Sequence, residues 1–419
     1  MNNSLESVQG RVVKLFNHGK IILFQLATSA KKISALISKK NTLEYAALCQ
    51  QIKLGSYIRG NGYWQKGRRT EHEFVFLCID YIAENSLSKN ETGFMTDSSF
   101  SIDLLKKRYH TYLCLDDVCA THIACKGKMM YAIRRTLDER GYLEVNTPVF
   151  TKNFYAGGAQ PFITHMLDNG SDMYMRITSE FALKMVIGGG FSRVYEIGPS
   201  FRNGSVNKKY LTPFTAAEIY TAFLSEEKNI ELAESIIRCV ENEITPIIEE
   251  CGMKKKVSFL GEIPKISFDD YYFSKTGERF DWNNYMNDPS KYRNQSNDIY
   301  KLLKNELFSY QVSPVFVTDL PSGNSPLIAC KSKKTLYRSY LVVNGATLME
   351  IAIGESDPKR FLDKINSQNL SDQHKRDYSN FVHAFQMGMP PIASLFIGVD
   401  RVIPAFLGID NLNDLSMTL

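Results

Sequence analysis

The order of apolar and polar positions divides the chain into stretches of different character. Over residues 8–85, short apolar groups (Val12, Val13, Ile21, Ile22, Phe24, Leu26) are broken by Asn17-His18-Gly19 and by lysine-bearing turns. A later run, Phe74-Val75-Phe76-Leu77-Cys78-Ile79, has the density of a buried strand. Short strands separated in this way predict a small β-barrel, and an OB-fold is one such barrel. Residues 86–102 are rich in Asn, Ser, Lys, Glu, Thr and Asp and read as a linker.

From about residue 103 the pattern changes. Met130, Ile133 and Leu137 recur at helical spacing, and Gly141 after Arg140 is a plausible stop. Tyr142 to Val145 then resemble a strand, ended by Thr147-Pro148. The central block alternates. Phe214, Ala216, Glu218 and Tyr220 fall on one face of a strand, and Thr215, Ala217, Ile219 and Thr221 on the other. A carboxylate on a strand this apolar is costly to bury unless a cation meets it. An internal salt bridge and a cationic ligand both satisfy that requirement. Residues 225–255 carry a helical pattern through Ile230, Leu232, Ala233, Ile236 and Ile237. Residues 260–313 are polar and aromatic, with no legible period. Ile392 to Val399 form an apolar run leading into Asp400-Arg401. No internal repeat is apparent.

Composition narrows the class. Of 419 residues, 44% are hydrophobic and 23% charged, which excludes a mostly disordered chain, a collagen-like fibre and a polytopic membrane protein. At roughly 150 residues per domain, the length allows two or three domains. The net charge of +5 is unevenly spread. Residues 1–110 hold 16 Lys or Arg against 9 Asp or Glu, a net +7, and the remaining 309 carry −2. A basic module beside a near-neutral body points to a polyanionic partner, with a merely solvated surface as the alternative. The eight cysteines form no CxxC pair and lack metal-site spacing, as expected of reduced thiols in a cytosolic protein. The first residues lack a signal-peptide pattern, and no apolar run approaches the ~20 residues of a membrane span. The expected location is the cytoplasm, with no membrane partner.

Five segments in order then carry a resemblance. The first runs from Lys128 through Arg140-Gly141-Tyr142 to Pro148. The second holds Gly157-Gly158-Ala159 and Pro161-Phe162-Ile163-Thr164-His165. The third joins Asp172-Met173-Tyr174-Met175-Arg176-Ile177-Thr178-Ser179-Glu180 to Arg193 through Phe201-Arg202-Asn203. The last two are Gly388-Met389-Pro390-Pro391 and Ile397-Gly398-Val399-Asp400-Arg401. Over about 103–410 these segments resemble the class II lysyl-tRNA synthetases. The resemblance implies an α+β chain: an N-terminal OB-fold barrel of anticodon-binding type (1–85), a linker (86–102) and an antiparallel-sheet catalytic domain (103–419).

The resemblance also implies roles. These enzymes join an amino acid to ATP as an aminoacyl-adenylate, so two anions must be brought together by cations and positioning. Arg202 matches the arginine that clamps the amino-acid carboxylate and the α-phosphate, a task suited to a planar fork. Arg401 matches the arginine that faces the γ-phosphate. Phe214 matches the ring that stacks on adenine, and Asn203 belongs to the same ATP-binding motif. Gly158 belongs to the amino-acid-binding loop. Glu180 matches the carboxylate that takes the α-ammonium, and Glu218 and Tyr220 the pair that meets the side-chain ammonium of lysine or a related diamino acid. Glu350 matches one acidic ligand for Mg²⁺. The implied partners are ATP, Mg²⁺, a diamino acid, tRNA through the basic barrel, and a second copy of the chain through the first-motif helix.

Several positions depart from that pattern. Gly204 stands where an ATP-binding glutamate is usual, Tyr210 where a histidine is, and Pro213 where another glutamate is. The second metal acid falls near Tyr340, and Phe396 replaces a glycine. In the barrel, the base-stacking aromatic falls near Leu23, with Phe24 one residue away and so on the opposite face. Lys31, Lys32, Lys39, Lys40, Lys66, Arg68 and Arg69 keep the barrel basic. Three readings remain open. One is an amino-acid-activating paralogue whose acceptor is tRNA, a protein or a small molecule. The others are an ordinary lysyl-tRNA synthetase and a catalytically silent relative that binds an amino acid or RNA.

Overall fold

The computed structural model describes residues 4–29, 31–67, 72–87, 109–152, 159–204, 208–287, 303, 307–322, 326–366 and 378–415. They divide into two compact units. One comprises Met1–Cys125, Ile247–Met253 and Asp414–Leu419, the other Lys126–Pro246 and Lys254–Asn413.

The first unit contains the barrel expected from the short apolar groups. Five strands close in the order β1-β2-β3-β5-β4: β1 (Glu6–Asn17), β2 (Ile21–Thr28), β3 (Lys31–Ser38), β4 (Tyr57–Gln65) and β5 (Glu73–Ala83). Helix α1 (Tyr45–Gln51) lies between β3 and β4 in the chain. The interior holds Val12, Ile22, Phe24, Leu26, Ile37, Ile58, Phe74 and Phe76, alternate residues of strands with one face inward. On β4, Gly60 and Gly62 admit β5 closely, since a Cβ there would stand 2.2 Å from the Cys78 carbonyl and 1.9 Å from that of Val75. Phe24 belongs to this core. Leu23 faces the other way, opposite Phe16, whose ring is exposed. Among the lysines, Lys31 pairs with Glu250 and Lys32 with Asp117, whereas Lys39, Lys40 and Lys66 are exposed. Arg68 and Arg69 lie outside the described residues. Helix α2 (Tyr109–Leu115) precedes α3 (Asp117–Asp138), the helix foreseen before Gly141.

The second unit is built on an eight-stranded sheet in the order β12-β13-β14-β15-β16-β11-β10-β6. Its strands are β6 (Leu143–Glu144), β10 (Arg193–Ser200), β11 (Phe214–Ala222), β12 (Lys265–Ser267), β13 (Val315–Thr318), β14 (Arg338–Val343), β15 (Ala346–Ile353) and β16 (Ile392–Gly398). From β13 to β10 every pairing is antiparallel, and the two outer pairings are parallel. A separate three-stranded sheet holds β7 (Phe150–Thr151), β9 (Asp172–Met175) and β8 (Ile163–His165). Two helices border the site: α4 (Glu180–Gly188) and, after α5 (Glu226–Glu250), the one that follows β16, Val399–Leu407. The stretch 260–313, opaque in sequence, contributes edge-to-face packing of Phe268, Phe280, Trp282 and Tyr285 beside β12 and β13.

One buried ion pair ties the smaller sheet's exit to the large sheet. Arg176 follows β9 and donates to Glu196 on β10, to the Thr147 hydroxyl at 2.7 Å and to the Pro199 carbonyl at 3.0 Å. Glu196 also accepts the Thr147 hydroxyl at 2.6 Å. Both charged side chains are almost fully buried. Removing one partner strands the other's charge, so Arg176→Met is expected to lower the unfolding free energy by about 3–5 kcal/mol in denaturant titration. A loss under about 1 kcal/mol would mean that Glu196 is sustained by Thr147 alone.

Candidate active site

The central strands align a row of side chains. Antiparallel register sets Glu196 opposite Glu218, Glu218 opposite Phe396, Phe396 opposite Glu350, and Glu350 opposite Tyr340. Residues opposite one another in a ladder point to the same face. Three carboxylates therefore share one face of one sheet. Like charges so arranged need counter-charges.

Two of the three have them. Glu196 is paired with Arg176. Glu350 accepts the Arg338 guanidinium, with Nε at 2.9 Å. Glu218 is different. It is 2% exposed, and among the described residues no Lys, Arg or His forms an ion pair with it. The internal salt bridge that spacing alone allows is absent there. Uncharged donors hold Glu218 instead: the Thr178 hydroxyl at 2.8 and 2.9 Å, the Ser179 N–H at 3.0 Å and the Tyr220 hydroxyl at 3.1 Å. Burial raises the Glu218 pKa, opposed by these hydrogen bonds and reinforced by the charge of Glu180. Burial also pushes the Tyr220 phenol well above its usual value, and neighbouring Glu218, Glu180 and Glu350 add to that.

Glu180, in the first turn of α4, meets an internal cation. Lys184, one turn later and nearly fully buried, donates to it at 2.6 Å. The carboxylate expected for an α-ammonium is thus engaged by Lys184. Thr178 and Ser179 precede Glu180 directly, and sequence reasoning assigned them no part. Their signal was position only, at the turn between β9 and α4.

The two arginines foreseen for phosphate lie at the open end of β11. Arg202 is exposed, and its guanidinium stands 5.0 Å from the centre of the Phe214 ring. The one described hydrogen bond of its guanidinium is a long one, from Nε to the Ile177 carbonyl at 3.4 Å. Arg401 donates to the Thr347 carbonyl at 3.1 Å and lies 5.3 Å from the ring centre of Tyr210. Burial lowers its pKa, Tyr210 and Asp400 oppose that shift, and Arg202 adds to it. Among the described residues neither arginine has a carboxylate ion-pair partner. Tyr210, Arg401 and Thr347 line a cavity of about 280 Å³ together with Lys209 and Asn344. Asn203 donates its N–H to the Gln160 carbonyl at 2.8 Å, which fixes the turn after Arg202. Gly158 lies outside the described residues.

The metal expected at Glu350 finds no acidic set there. Arg338 engages that carboxylate, Tyr340 stands opposite it, and no group of three His, Cys, Asp or Glu able to hold an ion occurs among the described residues. Mg²⁺ favours oxygen ligands unencumbered by a cation. The described side chains do not fit a protein-built Mg²⁺ site at this position. Arg338 went unnoticed in sequence because its partner lies across a hairpin whose register shifts by a bulge.

Ionisation of Glu218 has a consequence for stability. Its folded-state pKa is raised, so the stability it contributes is full below its unfolded value and lost as pH rises through the folded value. Glu218→Gln has no such loss. In unliganded protein, the wild type is expected to lose unfolding free energy relative to Glu218→Gln as pH rises from the ordinary carboxylate range. Parallel stability curves for the two would show that the charge is not penalised.

The profile of tRNA synthetases class II (D, K and N) matches residues 103–417. A lysine–tRNA ligase of Prochlorococcus marinus (strain CCMP1986 / NIES-2087 / MED4) is 29% identical over 430 residues, covering 95% of this chain and 83% of its own length. That of Thermotoga maritima is 27% identical, with 94% and 82% covered. The crystal structure of asparaginyl-tRNA synthetase from Pyrococcus horikoshii, complexed with asparaginyl-adenylate, superposes with a TM-score of 0.79 at 18% identity, covering 99% of this chain and 94% of that one. That last likeness concerns the fold, with its OB-like barrel and class II sheet. No helix among the described residues is long and apolar enough to cross a membrane. On the match over 103–417, the chain belongs to the class II tRNA synthetases of the D, K and N group.

Proposed function

We propose that the protein uses ATP to activate lysine or a similar diamino acid as an aminoacyl-adenylate and passes the aminoacyl group to an acceptor. The observation that carries this reading is Glu218: a buried carboxylate, held by three uncharged donors (the Thr178 hydroxyl shared between its two oxygens, the Ser179 N–H and the Tyr220 hydroxyl), with no described cation partner while both acidic neighbours in its row have one. A side-chain ammonium is the complement of that position. The relatives named lysine–tRNA ligases support lysine as its source.

In this reading an oxygen of the amino-acid carboxylate attacks the α-phosphorus of ATP. The new bond is carboxylate oxygen to α-phosphorus, and the bond from α-phosphorus to the bridging oxygen breaks, releasing pyrophosphate. Arg202 offsets the charge shared by carboxylate and α-phosphate, and Arg401 that of the γ-phosphate. Phe214 becomes the adenine platform once the Arg202 guanidinium turns from its ring to the phosphate. Glu180 and Gly158 orient the α-amino end, and Asn203 the turn beside ATP. Mg²⁺ has no assigned step through Glu350. The chain is then organised as a barrel over 1–85, a linker over 86–102 and a catalytic domain over 103–419. It works in the cytoplasm as a homodimer through the helix Asp117–Asp138. Its exposed Lys39, Lys40 and Lys66 offer backbone contact to a tRNA acceptor.

A second reading, a silent amino-acid binder, is favoured by the Arg338–Glu350 pair, which closes the expected metal position. Pyrophosphate exchange with each amino acid separates the two. Exchange with lysine is expected for the first, and none with any amino acid leaves the second. Charging of purified tRNA then identifies or excludes tRNA as acceptor. Arg202→Ala should lower exchange by roughly 10²–10³-fold, the cost of one lost donor at developing charge. Glu218→Gln should raise the lysine KM by about tenfold or more, as a charged hydrogen bond is lost, while norleucine binding changes little. Equal losses for both ligands would remove Glu218 from side-chain recognition.

A further inference from the structure

The ladder between β11 and β16 stops at Ala216 and Gly398, because the chain turns into the helix Val399–Leu407. The two residues at the end of β11 on that side, Thr215 and Phe214, lose the strand that would have held them. A side chain supplies the missing rung. Asp400 accepts the Thr215 N–H at 2.6 Å through one carboxylate oxygen. Its other oxygen accepts Lys126 Nζ at 2.6 Å, and Lys126 also donates to the Thr215 hydroxyl at 3.1 Å. The three groups form a closed circuit from helix α3 to the end of β11 and the start of the following helix.

Each member of the circuit that lies on β11 or that helix is the chain neighbour of a side chain aimed at the nucleotide. Thr215 adjoins Phe214, and Asp400 adjoins Arg401. We infer that Lys126 is a positioning residue for ATP, fixing Phe214 and Arg401 relative to each other by clamping Thr215 and Asp400. The inference rests on the ATP-dependent reading above. It adds to that reading a residue from the first motif, far in sequence from the nucleotide site.

The clamp also has an electrostatic part. Asp400 is mostly buried and acts on Arg401. A carboxylate beside a buried guanidinium competes with phosphate for it. Lys126 holds that carboxylate away in a charge-assisted bond, so Arg401 keeps its attraction for an anion. Losing Lys126 leaves Asp400 with one described donor, the Thr215 N–H, and with its charge uncompensated. Phe214 and Arg401 then both become less defined. The effect falls on ATP. The diamino-acid end of the site, at Glu218 and Tyr220, is anchored by Thr178 and Ser179 instead.

The test uses the full chain, with ATP binding by calorimetry and exchange kinetics with lysine. Lys126→Met should weaken ATP binding and raise its KM by about tenfold, or about 1.4 kcal/mol. The lysine KM should stay within about twofold, the scatter usual for an uncoupled site. Lys126→Arg should restore ATP affinity, because it keeps the charge and the donors. Lys126→Gln, which keeps a neutral donor of similar reach and loses the ion pair while Asp400 stays charged, should move ATP in the same direction, and it carries the test if Lys126→Met fails to fold. The inference is overturned if ATP affinity is unchanged in these variants. It is equally overturned if both KM values rise together without rescue by arginine, the mark of a general structural role. A wild type that binds ATP alongside variants that bind it equally well removes only this inference. A wild type that binds no ATP removes the proposed function and this inference with it.

Discussion

The buried charge of Glu218 is the constraint around which the second unit is arranged. A carboxylate on an inner strand of an apolar sheet loses its hydration, and the protein replaces that hydration with three uncharged hydrogen-bond donors and no described cation. To make that possible, Thr178 and Ser179 must stand in the turn between β9 and α4, directly before α4 begins. The exit from β9 is fixed in turn by Arg176, which reaches Glu196 on the adjoining strand. The three carboxylates of the row are thus coupled through the chain as well as through space. Arg176 neutralises one, its immediate neighbours hold the second, and Arg338 neutralises the third.

The same arrangement separates what was legible in the sequence from what was not. The barrel could be read because its strands bury one face each, and alternation survives in Val12, Ile22, Phe24 and Phe76. The face carrying Phe214, Glu218 and Tyr220 could be read for the same reason, since a period of two needs only one strand. Arg202, Arg401 and Glu180 were recognised from motif context, not from periodicity. Everything that depended on register between distant strands was hidden. Arg338 meets Glu350 only because β14 and β15 pair with a bulge, and Lys126 meets Asp400 across 274 positions of sequence. The stretch 260–313 was opaque because its aromatic residues pack edge to face from several short elements, which leaves no single period to detect.

The departures from the family pattern acquire a common physical sense in the row. Phe396, bulky where a glycine is usual, lies between Glu218 and Glu350 and puts an apolar ring between two acids. Tyr340, where an acid is usual, faces Glu350 with a neutral phenol. Arg338 adds a fixed cation, with its guanidinium 5.5 Å from the Tyr340 ring centre. Tyr340 and Arg338 lower the negative charge on the β14–β16 side of the face, and Glu218 is left as the one carboxylate of the row without a described counter-ion. The charge of Glu350 is balanced by the Arg338 side chain.

In the proposed reaction, that redistribution gives the cationic anchors outside the row a larger part. A site with no acidic metal set among the described residues would rely, in that reaction, on guanidinium groups for phosphate, and a guanidinium is useful only if no nearby carboxylate claims it. Arg202 meets this condition by resting on Phe214, an aromatic face that attracts a cation weakly and releases it readily. Arg401 meets it by resting on Tyr210, while its own neighbour Asp400 is held elsewhere. Both arginines are therefore parked on rings rather than on acids. In the proposed reaction, an incoming anion meets neither guanidinium in a described ion pair, and Arg401 can keep its hydrogen bond to the Thr347 carbonyl.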